Sequence, residues 1–294
     1  LVFFIEFLDE GELMKKVAII TDSSAYLPEP LVEDLNLYVV PLTLHWGDET
    51  YRDGVDIRAE AFYERLAEAD TLPTTSQVAV SEFTRLFTAL LDQDYAVLAL
   101  LISSGISGTV ESALYAKSEL PGAPLEVVDS QLVSMALGFM VMAVARAAKE
   151  GASLAECKAL AEAIYPKIGV YFTVDTLKYL NKGGRINTAK RVMGSALNIK
   201  PIMEIRGGKI ELVESVRSRK KALARMLEMV EHDIAGNAGV RISTFHAAAD
   251  EENQALMAQA VERFNPIETV TTHVSPVIGT HTGPGTLSIA YQVE

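Results

Sequence analysis

Four short runs rich in β-branched and leucine side chains punctuate the first half of the chain: KKVAIIT at 15–21, LYVVPLTL at 37–44, YAVLALLI at 95–102 and LEVVD at 125–129. Each is apolar on successive positions, as strands buried on both faces are. Between them lie AEAFYERLAEA, AVSEFTRLFTALL, GTVESALYAKSEL and QLVSMALGFMVMAVARAAKEG, which carry helical patterns. Strand and helix alternating in this way predict a mainly parallel sheet with helices on both faces, a three-layer α/β/α arrangement.

After about residue 170 the pattern changes. LNIKPIMEIRGGKIELVESV holds two apolar runs joined by Gly207-Gly208, a two-residue hairpin turn, and predicts a mixed or antiparallel sheet. The fold class expected is α/β in two domains, an N-terminal three-layer domain over 14–169 and a C-terminal α/β domain with mixed sheet over 170–294. The first thirteen residues, LVFFIEFLDEGEL, stand apart: Glu6 interrupts the apolar run after five residues and no basic segment precedes it, unlike a signal peptide. With MKKVAIITDSS opening a strand cleanly at Met14, residues 1–13 read as a start-site artefact or a disordered extension. The apolar helix at 132–148 is short for a membrane span and carries Arg146.

Composition narrows the partners. Against 39 acidic side chains stand 26 basic ones, a net charge of −13, and no basic run exceeds RSRKK at 217–221, so nucleic acid is not an expected partner. The single cysteine, Cys157, lies in the helical pattern LAECKALAEAI, which rules out an intrachain disulfide and a cysteine-based metal site and fits a cytoplasmic location.

Open α/β sheets bind ligands beyond the carboxyl ends of their strands. Three such loops are rich in hydroxyls: TDSSAYLP at 21–28, ISSGISGT at 102–109 and VDSQLVS at 128–134. Asp22, Ser23, Asp129 and Ser130 read singly as helix caps. ISSGISGT places Ser103, Ser104, Ser107 and Thr109 where one cap would suffice, with Gly105 and Gly108 leaving room for a ligand near the backbone. Amides at the start of the following helix add a positive dipole end, and a carboxylate or phosphate suits such a seat. A Walker loop needs lysine where Thr109 stands, and Gly105-Ile106-Ser107-Gly108 falls one residue short of the nucleophile elbow. TLPTTSQV at 71–78 adds Thr74, Thr75 and Ser76, and reads equally as a helix entry capped by Ser76 or Ser81. LVSMALGFMVMAVA, with Met135, Met140 and Met142, is either the wall of a dry channel or a buried core helix. Further on, Gly183 and Gly184 read as the end of a helix followed by a surface Arg185, and RSRKK as a solvated helix start. His281, in GTHTGPG, has no core to join.

Taken in order, TDSSAYLP, PLTLHWGDETYRDGVDI, TSQVAVSEF, ISSGISGTVESA, VVDSQLVSMALGF, TLKYLNKGGRI, LNIKPIM, VESVRSRKKAL and GTHTGPGTLSIAY resemble the DegV family of bacterial fatty-acid-binding proteins, over residues 16 to about 291. The resemblance implies one long-chain fatty acid in a tunnel between two α/β domains, its carboxylate held by the TSQ and SSGxSGT hydroxyls, here Thr75, Ser76, Ser103 and Ser104, with His281 beside them. It implies no metal and no cofactor beyond the bound lipid. It also implies a separate ATP-binding fatty acid kinase subunit as partner, serving phospholipid metabolism, with Arg185 and Arg217 at the docking or phosphoryl-transfer face and transient contact with a membrane surface allowed. On that view the chain is a binding subunit and not itself an enzyme. Val78 departs from the family pattern, which has proline after TSQ. The alternative of another class is a hydrolase of lipid or acyl substrates using Ser103, Ser104 or Ser107 as nucleophile and His281 as base. Analogy with dihydroxyacetone-type kinases lacks a nucleotide motif.

Overall fold

The computed structural model describes residues 15–192 and 199–294, so the expectation for residues 1–13 lies outside the described residues. The first half runs β1 (Val17–Asp22), α1 (Glu29–Asp34), β2 (Tyr38–Val40), β3 (Thr43–Trp46), β4 (Glu49–Arg52), α2 (Ala59–Glu68), β5 (Thr74–Ser76), α3 (Val80–Leu91), β6 (Ala96–Leu101), α4 (Thr109–Ser118), β7 (Leu125–Asp129), α5 (Ser134–Lys149) and α6 (Leu154–Ile164). A parallel sheet in the order β2-β1-β6-β7 forms its centre. Every residue of β6 is buried, because helices cover both faces. Phe83, Phe87, Val110 and Ala113 of α3 and α4 close one face, while α5 and α6 close the other.

LYVVPLTL is not one strand. Pro41 has no N–H for a ladder, and the chain leaves the edge of β1 there to enter a second, antiparallel sheet in the order β4-β3-β5. Thr74–Ser76 is accordingly an edge strand, and α3 begins at Val80 without a side-chain cap, which excludes the capped helix entry.

The second half runs β8 (Ile168–Thr173), α7 (Lys178–Lys182), β9 (Lys200–Arg206), β10 (Lys209–Val216), α8 (Arg219–Ile234), β11 (Val240–His246), α9 (Asp250–Phe264), β12 (Glu268–His273), α10 (Pro276–Thr282) and β13 (Leu287–Val293). These strands make a mixed sheet ordered β10-β9-β8-β13-β11-β12, antiparallel except for β11 against β12. Gly207 and Gly208, with φ of +54° and +74°, turn the β9–β10 hairpin as expected. Helices α8 and α9 cover one face through Ala222, Met226, Val230, Leu256 and Ala260. The other face meets α5, which touches β1 and β6 of the parallel sheet and β8 and β13 of the mixed one. A helix wedged between two sheets must be apolar all round, which explains SMALGFMVMAVA. Met135, Met140 and Met142 belong to that packed core and border neither of the two cavities described below.

Candidate functional site

The serine loop after β6 is built first for contact with the mixed sheet. Ser103, fully buried, donates its hydroxyl to the Gly208 carbonyl at 2.7 Å and accepts the Gly105 amide at 3.1 Å. A Cβ on Gly105 would lie 2.4 Å from the Gly208 oxygen, so the glycine admits the β9–β10 turn and not a ligand. Gly108 likewise makes room for the Gln77 side chain, whose Oε1 would be 2.3 Å from an added Cβ. Ser104 is exposed and gives its hydroxyl to Asp129. Neither Ser103 nor Ser104 lines a cavity described below. Ser107, bonded to Thr109 at 2.9 Å, does.

Opposite that loop stands a histidine on α10. His281 Nε2 meets Thr75 Oγ1 on β5 at 2.8 Å. Burial, reinforced by the nearby Arg185 guanidinium, lowers its pKa to about 4, so the imidazole is neutral at ordinary pH. Its Nδ1 has no hydrogen-bond partner among the described residues and faces Gly183, where a Cβ would sit 2.1 Å away. Gly183 ends α7 and Gly184 follows with φ of +74°, the helix end expected, but Gly183 also makes room for the ring. Arg185 is half-buried, not a surface residue; Nε donates to the Ile106 carbonyl at 3.2 Å and Nη1 to the Gly183 carbonyl at 2.6 Å. It has no carboxylate partner among the described residues.

Two adjoining cavities meet at these groups. A polar one of about 310 Å³ is bordered by Thr75, Ser76, Gln77, Ser107, Arg185 and His281. The other is almost wholly apolar and narrow, about 50 Å³, between Phe172, Ile205, Phe245 and Ser288 of the mixed sheet and Val133, Val274 and Ile278 of the surrounding elements. Ile106, Arg185, Ile278 and His281 border both. A polar end that leads into an apolar slot suits an amphiphile with an anionic head.

What holds α10 in place is a carboxyl absent from the sequence expectations. Asp53, buried after β4, accepts from the Ser23 hydroxyl at 2.7 Å and from the Val277 amide at 3.3 Å. Burial raises its pKa to about 7; the hydrogen bonds from Ser23, Val277 and Ser275 oppose the rise and buried Asp22 adds to it. It stands in the expected family stretch YRDGVDI, but no period or spacing marks one aspartate there as buried.

Three other groups bear on the expectations. Arg217 is exposed between β10 and α8, with no side-chain hydrogen bond or ion pair among the described residues, and borders neither cavity. Ser76, besides bordering the polar cavity, pairs with His45 at 2.8 Å, while Thr50 holds the other ring nitrogen at 3.2 Å. A hydroxyl thus orients that histidine where a catalytic triad has a carboxylate. His246 and His273 stand side by side on β11 and β12, ring centroids 4.6 Å apart, with Asp250 3.4 Å from His246 Nε2. The Ala249 amide donates to His246 Nδ1 at 3.1 Å, so the neutral ring carries its proton on Nε2, where a metal would have to bind.

The family model described as "Uncharacterised protein, DegV family" matches residues 16–294. Protein DegV of Bacillus subtilis is 34% identical over 277 residues, covering 94% of this chain and 98% of that protein. A crystal structure of DegV from Bacillus subtilis, described as a fatty acid binding protein, superimposes with a TM-score of 0.87 at 34% identity over 96% of this chain and 100% of that one. A structure described as fatty acid binding of a DegV family protein from Thermus thermophilus gives a TM-score of 0.90 at 32% identity, over 95% and 100% of the two chains.

Proposed function

The chain belongs to the DegV family, and on that premise we propose that it binds one long-chain fatty acid and presents it to a separate ATP-dependent kinase subunit for acyl-phosphate formation. Relatives described as fatty acid binding support the first part. The observation that carries the reading to this chain is Arg185, a half-buried cation without a carboxylate partner among the described residues, at the junction of a polar and an apolar cavity.

In this proposal the carboxylate lies against the Thr75, Ser76 and Ser107 hydroxyls with His281 and Arg185 beside it. Ser103 and Ser104 brace the loop that offers Ser107. Hydroxyl donors hold a carboxylate without burying it in a tight ion pair, so an oxygen stays able to attack the γ-phosphorus of ATP as ADP leaves. Arg185 attracts the anion, but its Nε and Nη1 already donate to carbonyls. Arg217, exposed, belongs to the face that meets the kinase. Burying about fifteen methylenes at about 0.8 kcal/mol each supplies on the order of 10 kcal/mol before ordering costs. Part of that is spent in widening the slot, whose 50 Å³ is well under the roughly 150 Å³ of a cavity that admits benzene.

Organic extraction of the purified protein followed by mass spectrometry tests the reading. One fatty acid per chain is expected. Folded, lipid-free protein that takes up neither added oleate nor palmitate overturns it.

A further inference from the structure

The mixed-sheet wall of the apolar cavity has one small position. Ser288 on β13 stands opposite Phe172 of β8 on one side and Phe245 of β11 on the other, and all three border the cavity. A serine between two phenylalanines in one cross-strand row leaves a notch, since directly opposed side chains in a sheet are in contact range and the central one sets the depth. The Ser288 hydroxyl has no hydrogen-bond partner among the described residues, so the fold uses its small size and not its polarity. The next inward residue of β13, Ala290, lies in the core shared with α5; its small side chain lets the helix close on the sheet. At Ser288 the helix has just begun, with Val133 and Ser134 across the cavity, and the space stays open.

We propose that Ser288 sets how much of an acyl chain this cavity accepts, the notch between Phe172 and Phe245 receiving the methyl-ended part. The inference rests on the fatty-acid reading above. Ile106, Arg185, Ile278 and His281 border both cavities and so mark the carboxylate end, whereas Phe172, Phe245 and Ser288 border the apolar cavity alone. The slot is narrow, so a larger side chain in the notch competes directly with terminal methylenes.

Competition between stearate and myristate for lipid-free protein tests this, with wild type, Ser288→Leu and Ser288→Ala compared. Excluding about two methylenes shifts the stearate-to-myristate preference about tenfold toward myristate in Ser288→Leu. Ser288→Ala, equally small, keeps the wild-type preference. Phe245→Leu widens the same notch and shifts the preference toward stearate, and it decides the matter should Ser288→Leu not fold. An unchanged preference in the folded Leu variants, or a Ser288→Ala shift as large as that of Ser288→Leu, overturns the inference while fatty-acid binding stands. A wild type that binds neither acid overturns the fatty-acid reading itself.

Discussion

Replacing Asp53 with asparagine should make the protein's stability less dependent on pH. The carboxyl is buried, and burial carries its pKa from 3.8 to about 7 in the folded chain, so the folded state holds a proton that the unfolded state has released. Stability is therefore greatest below the unfolded value, falls as pH rises from about 4 to about 7, and loses no more from this group above that. At about 1.36 kcal/mol per pH unit the full loss is about 4 kcal/mol, of which about 2 kcal/mol falls between pH 5.5 and 8.5. Asparagine keeps an oxygen for the Val277 amide but cannot ionise, so Asp53→Asn should gain on wild type by about 2 kcal/mol across that range. Urea denaturation of both proteins at half-unit pH steps measures the difference, in which the other titrating groups cancel. A difference that stays flat from pH 5.5 to 8.5 would refute the reasoning.

Three further outcomes are expected. Gly183→Ala pushes a methyl onto His281 and breaks its bond to Thr75; fatty-acid affinity falls by an order of magnitude or more, while circular dichroism of the lipid-free protein is unchanged. Arg217→Ala binds fatty acid as wild type does, because burial of the acyl chain supplies the affinity, yet acyl-phosphate formation with the ATP-binding subunit and magnesium drops sharply. A serine-directed fluorophosphonate leaves Ser103, Ser104 and Ser107 unlabelled, since His281 pairs with Thr75 and the three hydroxyls with Gly208, Asp129 and Thr109; stoichiometric labelling of that loop would revive the hydrolase reading.

The parallel sheet was legible because a strand covered on both faces writes its burial into consecutive residues, as AVLALL does. Gly207-Gly208 was legible because two positive φ values in succession need such residues. Pro41 carries no sequence mark as the point where the chain changes sheets, since its neighbours are as apolar as those of one strand. The serine loop was found, but not which hydroxyls face the cavity: a turn reorients successive side chains, sending Ser103 to Gly208, Ser104 to Asp129 and Ser107 to the cavity. The glycines of that loop suggest space for a ligand when only the sequence is considered, whereas the space is taken by Gly208 and Gln77. Asp53 and Ser288 acquire meaning only from residues far away in the chain, Val277 for one and Phe172 for the other.

The position of β13 has a consequence for how the protein is made. It sits between β8 and β11 in space but is synthesised after every other strand of its sheet. At about 5–20 residues per second, roughly 6–25 s separate the emergence of Ile168 from that of Val293. Through that interval β8, joined by β11 once Val240–His246 has emerged, presents an open edge where β13 will lie, the kind of edge that invites pairing with another chain. Thr286 and Ser288, which border the apolar cavity, arrive with the same strand. A nascent chain thus has its parallel sheet long before the apolar cavity has its β13 wall, and nothing can be enclosed there until residues 287–293 have emerged. Crowded ribosomes, or a pause between the emergence of β11 and that of β13, would therefore raise aggregation far more than a pause of equal length before residue 168.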